Sequence, residues 1–570
     1  MRLQISRTKN AASLYIVKST YDANGKRSNK IVEKLGTEAE LSKIYADPIA
    51  YGKQRAKELT ESENEKQQRI TVEYDPNARI DKGIHHLYYG GYLFLQKLYY
   101  ENGLDEICKK ISAKYKFEYD LNSILSRLIY GRILFPGSKS STMEESELLL
   151  EKPNFELHQI YRALEVIAKE DGTIQSELYK NSLKNGKRND SILYYDCTNF
   201  FFELEEESGV KQYGVSKEHR PNPIVQMGMF LDGDGIPLAF SITPGNTNEQ
   251  TTLKPLEKQI IRDFGKSKFV VCTDAGLASE ANKKFNSIQE RAFITAQSLK
   301  KIPKYQKDWA LCSSGWKLAG SKTEYTLDYI NDNSEKFFND VFYKESRFIE
   351  NNLEQRYIVT YSLKYRDYLR DIREKQIQRA QKKIDSGIKP KRRNNDPNRL
   401  IGQMYMTKDG VLAEYCEYTL DNDRIKDEEQ YDGFYCVSTN MDDDAAVILK
   451  ANRRRWEIEE SFRIMKSEFK ARPVFLSRDD RIKAHFMICF LSLFLFRQLE
   501  KRLDERFTSS EITSCLRSMR FVEIPREGYS PAYTRSDLTD SLHSSFGFCT
   551  DFRFISYSSF RKIFISSKSS

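Results

Sequence analysis

Nine cysteines are scattered along the 570 residues with no C-x-x-C pair, and only six histidines accompany them. That argues against both a disulfide framework and a zinc site, and makes reduced thiols in a cytosolic compartment the expectation. The start, Met1-Arg2-Leu3-Gln4, lacks the apolar run of a signal peptide. No long hydrophobic run is present either. The most apolar stretch, Ala484 to Leu499, contains His485 and Arg497. At about 16 residues it falls short of the roughly 20 needed to cross a bilayer, so it reads as a buried core helix and no membrane partner is expected. Internal repeats and low-complexity linkers are also missing. Neither charge sign dominates: 91 basic residues against 82 acidic leave +9, which permits a polyanionic partner without establishing one.

What is present is ample material for cores, 39% hydrophobic and 12% aromatic, in a chain long enough for about three or four compact units. Residues 1–75 read as a β-hairpin region. Ser13-Leu14-Tyr15-Ile16-Val17 and Lys30-Ile31-Val32 flank the turn Asn24-Gly25, and Lys26, Arg27 and Lys30 make that turn basic. Across 76–185 the period becomes helical (Tyr92, Leu95, Leu98, Tyr99; then Leu121, Leu125, Leu128, Ile129). This suits a helix-turn-helix-like module and any small helical bundle equally.

From 186 to 298 the pattern is three strands, a helix, a strand, a helix and a strand. Asp232-Gly233-Asp234-Gly235 marks a hairpin, and acids, Asp196 and Asp274, are expected at the ends of the first and fourth strands. Residues 299–430 change character: short strands alternate with charged segments, among them a basic helix from Tyr365 to Ile384 and the run Lys389-Pro390-Lys391-Arg392-Arg393. They are expected to be an inserted, mostly β domain. A returning strand at Phe434 and one long helix from about Asp443 to Phe469 open the last part of the core (431–505), and 506–570 is left as a C-terminal tail.

Ligand sites in mixed α/β sheets collect at strand ends, which directs attention to Asp196, Asp274 and a third acid, Glu459, on the long helix. Each aspartate alone is equally at home as a turn or helix cap. Three carboxylates at one point repel one another unless cations join them. Hard oxygen ligands suit Mg²⁺ or Mn²⁺, and two ions about 4 Å apart can clamp the attacking and leaving oxygens of a phosphoryl transfer.

The motifs Asp196-Cys197-Thr198, Thr273-Asp274-Ala275-Gly276 and Arg455-Trp456-Glu457-Ile458-Glu459-Glu460-Ser461-Phe462-Arg463-Ile464-Met465-Lys466 resemble those of DDE transposases of bacterial insertion sequences, the superfamily with the Y-x2-R-x3-E-x6-K signature. Arg455, Glu459 and Lys466 match that spacing, whereas Asn452 occupies the tyrosine position. The segments from Tyr213 to Pro221, from Thr243 to Glu249 and from Tyr533 to Asp540 also look familial. The plain account of the helix is an amphipathic element with Trp456, Ile458, Phe462 and Met465 packed and a surface Arg455–Glu459 pair worth about 0.3–0.5 kcal/mol.

The resemblance implies an RNase H-like α/β core interrupted by the insertion and preceded by a helical DNA-binding region. It implies that Asp196, Asp274 and Glu459 hold two Mg²⁺ or Mn²⁺ ions. Arg455 and Lys466 would grip phosphates beside the scissile bond, one as a fork and the other as a point charge. Lys217 and Arg220 are further DNA-contact candidates, and Trp456 would stack on a flipped base if it does not pack. His485 either approaches the site or is a core histidine. The implied reaction cleaves the element's terminal inverted repeats and joins the 3′-hydroxyls to target DNA, with a homodimer bridging two ends in the bacterial cytoplasm, at the nucleoid. A structure-directed nuclease and a catalytically dead DNA-binding descendant remain open.

Overall fold

Alternating burial along Leu14-Tyr15-Ile16, followed by buried Val17, makes the N-terminal strand pattern work. β2 (Ala12–Tyr21) is the centre of a three-stranded antiparallel sheet between β1 (Arg2–Arg7) and β3 (Arg27–Thr37). A capping box of Thr37 and Glu40 starts α1 (Glu38–Leu41), and α2 (Pro48–Lys66) covers the sheet. The structure, a computed structural model, describes residues 1–7, 12–21, 27–45, 47–66, 77, 79, 82–186, 188–386, 396–406 and 415–569. The turn Asn24-Gly25 with Lys26, and the run Lys389-Pro390-Lys391-Arg392-Arg393, lie outside the described residues. The chain divides into two compact units, Met1–Ile84 and His85–Ser570.

The second unit opens with β4 (Leu87–Tyr89) and six helices: α3 (Tyr92–Glu101), α4 (Leu104–Lys114), α5 (Leu121–Leu134), α6 (Lys139–Glu147), α7 (Leu157–Lys169) and α8 (Asp171–Lys184). Side chains of Asp120 and Ser138 cap α5 and α6. The catalytic-core strands follow as β5 (Ile192–Phe201), β6 (Ile224–Asp232), β7 (Pro237–Pro244), α9 (Leu253–Asp263), β8 (Val270–Thr273), α10 (Glu280–Phe285) and β9 (Ala292–Gln297), the order expected. Asp274 does follow β8, but Asp196 sits in the middle of β5 rather than at its end. The reason is pairing: β8 stops at Thr273, while antiparallel β6 continues to hydrogen-bond β5 as far as Phe201.

Residues 299–430 hold α11 (Lys304–Leu311), β10 (Trp316–Leu318), β11 (Glu324–Tyr325), α12 (Leu327–Asp332), α13 (Ser334–Phe337), β12 (Phe342–Glu350), β13 (Leu353–Tyr361), α14 (Leu363–Asp385), β14 (Ile401–Met406), β15 (Tyr415–Leu420) and α15 (Asn422–Glu429). The insertion does not break the sheet, contrary to the discontinuity the sequence suggested. The returning strand β16 (Phe434–Thr439) pairs with β9 on one side and β13 on the other. Among the described residues the sheet therefore runs ten strands in the order β11-β10-β12-β13-β16-β9-β8-β5-β6-β7.

The single long helix expected over 443–469 is two, α16 (Ala445–Arg453) and α17 (Trp456–Ser467). Backbone bonds from Arg454, Arg455, Glu457 and Ile458 to the residue three before tighten the chain between them. Then α18 (Asp479–Arg502) carries the apolar stretch. It is long and apolar enough to cross a membrane, yet its side chains are buried against α3, α5, α7, α17 and β7. The helices of 76–185 are thus a bundle around α18, not a separate module. Nor do residues 506–570 form a tail: α19 (Ser509–Ser518), β17 (Arg520–Ile524), β18 (Gly528–Pro531), α20 (Asp537–Phe546), β19 (Ile555–Ser556) and α21 (Tyr557–Ser567) close the same core, with β17 pairing to β4.

Two polar knots interrupt this apolar interior. Arg497 of α18 donates to Glu457 of α17, to Glu500 (2.8 Å) and to the Gly235 carbonyl in the β6–β7 hairpin (3.3 Å). Near the other end, Arg132 of α5 donates to the carbonyls of Phe469 (3.0 Å) and Gly137 (3.2 Å), and His485 lies 3.1 Å from the Ala471 carbonyl. Lys139 is buried beside them, and burial, aided by Arg132, pushes its ammonium down to about 7. The unfolded chain holds that proton to about pH 10.4. Between these values the unfolded state binds more protons, so stability rises with pH, and the cost of the buried charge is felt in full below 7. Lys139→Met is therefore expected to raise the melting temperature more at pH 6 than at pH 9. An equal shift at both would place the charge elsewhere.

Candidate active site

β5 and β8 are parallel, with Tyr194 opposite Cys272. Asp196 lies two residues further along β5, and Asp274 lies just past the end of β8, which brings the two acids within electrostatic reach of each other. One Asp196 oxygen accepts from the Cys197 N–H (2.7 Å) and one Asp274 oxygen from the Leu277 N–H (3.0 Å). Thr295 of β9 bonds the Asp274 carbonyl at 3.1 Å, and Gln250 bonds the Gly276 carbonyl at 3.0 Å, holding the Thr-Asp-Ala-Gly turn in place. Burial pushes the Asp196 carboxyl up to about 6; Asp274 beside it acts the same way, while Lys217, the Cys197 N–H and Arg455 pull it down. A carboxylate so placed is one that a cation would stabilise.

The basic side of the site comes from α17 and the β5–β6 loop. Burial pushes the Lys466 ammonium down to about 8, helped by Lys217 and opposed by Asp196. Lys466 lies over the Phe200 ring at 5.5 Å and 3.4 Å from Glu218. Glu218 also pairs with Arg472 and lies 3.9 Å from Arg220, whose guanidinium sits 4.3 Å over Phe201. Lys217 donates to the Cys197 carbonyl and pairs with Glu249 at 3.2 Å. Arg455 is within electrostatic reach of Asp196 and 3.9 Å from Glu459.

The structure thus gathers Asp196, Asp274, Lys217, Arg455 and Lys466. Glu459 lies 3.9 Å from Arg455 with 63% of its side chain exposed, and among the described residues no three His, Cys, Asp or Glu side chains sit together at metal-holding spacing. The two aspartates fit a hard divalent cation by donor type and by the electrostatic strain on Asp196.

Trp456 is 57% exposed, whereas Ile458, Phe462 and Met465 are buried as expected. The tryptophan starts α17 outside the buried stripe of that helix. His485 is a core residue, its imidazole held neutral by burial. Asn452, in the place of the signature tyrosine, donates to the Tyr435 hydroxyl of β16 at 3.0 Å. Beside Ala275 opens a cavity of about 390 Å³ lined by Lys300, Arg373, Arg399, Tyr431 and Tyr435.

Sequence reading missed Glu218, Glu249, Arg472 and Tyr435. Glu218 and Glu249 lie inside segments already singled out, where their charge beside Lys217 was the available signal. Arg472 lies past the end of α17, and no helical spacing connects it to Lys466.

Two acids at adjoining parallel strands of a mixed α/β sheet, flanked by basic side chains, make a candidate site for a divalent cation. The family model "Transposase DDE domain" matches residues 190–495, more than half of the chain. The chain belongs to the DDE transposase family. Among solved structures, a cryo-EM structure of a piggyBac transposase synaptic complex with hairpin DNA is similar at 10% identity and a TM-score of 0.37, covering 83% of this chain and 88% of that one. No curated protein matches.

The two loops of the basic side meet backbone to backbone: a Cβ on Gly214 would stand 1.9 Å from the Gly245 carbonyl oxygen. Gly214→Ala is expected to force the 213–221 loop off the 243–249 loop, lowering the melting temperature and exposing Lys217 to faster tryptic cleavage. Unchanged melting and proteolysis would mean that the contact carries no weight.

Proposed function

We propose that this transposase cleaves the terminal inverted repeats of a bacterial insertion sequence and joins the freed 3′-hydroxyls to target DNA. Asp196 and Asp274 hold divalent cations, Mg²⁺ or Mn²⁺, and Glu459 supplies the third carboxylate from the first turn of α17. Its exposed side chain makes a long contact to Arg455. Bound cations supply charge neutralisation at the scissile phosphate and lower the pKa of an attacking water. The protein's own groups set the geometry. Arg455 forks onto phosphate oxygens, Lys466 and Lys217 act as point charges, and Arg220, fixed over Phe201, extends the basic rim. Trp456 presents a free indole face on which a displaced base stacks. Tyr435, bonded to Asn452, is the phenol available where the signature has its tyrosine. The working form is a homodimer that holds two ends together at the nucleoid.

The observation that carries this reading is the approach of Asp196, on β5, and Asp274, just past the end of β8, beside Lys217 and Arg455. The test is cleavage and strand transfer by the full-length protein on its element ends with Mg²⁺, beside Glu459→Gln. Wild type is expected to cut and join, and the variant to do neither while still binding DNA. Cutting without joined product would make the protein a nuclease, DNA binding alone would make it a dead descendant, and full cutting by the variant would remove Glu459 from the site.

Trp456→Ala is expected to weaken binding to an end carrying one unpaired base by about 1–3 kcal/mol, the worth of one base–aromatic stack. The melting temperature should hold, because the indole is exposed. Equal affinity for both proteins in fluorescence anisotropy would rule out the stack.

A further inference from the structure

The segments 213–221 and 243–249 meet at Lys217 and Glu249, and the acidic signature gives neither residue a reason to be there. The Lys217 backbone N–H is fixed by Asn199 (3.3 Å), and its ammonium donates to the carbonyl of Cys197, the residue that follows Asp196. Glu249, at the start of a short 3-10 turn capped by Asn248, holds the same ammonium at 3.2 Å. Gln250, next in that turn, ties it to the Asp274 loop at Gly276. One positive charge is thereby held near the first acid, within electrostatic reach of its carboxylate and paired with Glu249.

We propose that Lys217 is the built-in counter-ion of Asp196, held near it by Glu249, and that it must swing away before a divalent cation binds there. This rests on the reading of Asp196 as a cation ligand. An ammonium and a dication a few ångströms apart repel by an amount comparable to the attraction either has for the acid. The two therefore compete for Asp196. With 41% of its side chain exposed, Lys217 has somewhere to go, and a DNA phosphate is a ready alternative partner. Glu249 sets how readily it leaves. The empty-handed protein keeps its partly buried acid offset by a nearby positive charge, and cation loading is coupled to the arrival of DNA by reciprocal linkage.

The experiment is Mn²⁺ titration of the full chain without DNA, read by electron paramagnetic resonance of the free ion, for wild type, Lys217→Gln, Lys217→Arg, Arg220→Gln and Asp196→Asn. Melting in EDTA checks each fold, and Lys217→Met replaces the glutamine variant if that one does not fold. Lys217→Gln is expected to bind Mn²⁺ at least about fivefold more tightly, the effect of removing a unit charge about 8 Å from a dication even at the dielectric of water. Lys217→Arg should stay near wild type, and Arg220→Gln should change little. Unchanged or weaker binding by Lys217→Gln overturns the counter-ion role, as does an equal gain in Arg220→Gln, which would make the effect a general one of net charge. Asp196→Asn is expected to lose binding. If it binds Mn²⁺ like wild type, the reading of Asp196 as a ligand fails, separately from the role of Lys217.

Discussion

Burial of α18 is the constraint on which the second unit depends. Its side chains from Ala484 to Phe496 are buried, and α3, α5, α7, α17 and β7 are arranged to cover them. Apolar area removed from water contributes roughly 25 cal/mol per Å², and a helix covered all round draws every neighbour into one core. The bundle before the sheet and the segment after α18 are bound together in this way. The same helix fixes α17 through Arg497 and Glu457, so the element carrying Arg455, Glu459 and Lys466 is placed by an ion pair in the core. Breaking one partner of such a pair leaves an uncompensated buried charge, a loss of about 3–5 kcal/mol.

The site is held in the opposite manner. Its acids and bases are brought close together, and the result is a partly buried carboxylate raised by burial and by a second carboxylate and restrained by lysine and arginine. Stability alone would not select this arrangement. The loop glycines Gly214 and Gly245 let two backbones touch so that charges from separate segments arrive at the same point.

Much of this was legible in the chain. The order of core strands and helices followed from hydrophobic runs and the Asp-Gly hairpin, and the acids stood out because each closed an apolar run. Three things were hidden. Asp196 lies inside its strand because the pairing partners of β5 end at different places, which one strand's sequence does not record. The break between α16 and α17 leaves no glycine or proline as a marker, only a run of arginines that suits a helix equally well. The insertion concealed its continuity because β10 and β11 are too short to show a period, and because the partner of β13 arrives only after α14, β14, β15 and α15. Trp456 was misjudged for a simpler reason: helical spacing tells which residues share a face but not where the covered face begins.

The pairing of β13 with β16 has an architectural meaning. Tyr361, the last residue of β13, lies directly opposite Phe434, the first of β16. Everything from 362 to 433 leaves and re-enters the sheet at one rung of the ladder, so it is topologically an overgrown hairpin loop. A lineage could shorten or lengthen it, or replace it with another module, without changing the register of any catalytic strand. Because Arg373, Arg399 and Tyr431 on this excursion line the cavity beside the Asp274 turn, a change in its length or sequence would alter that cavity without moving Asp196 or Asp274 along their strands.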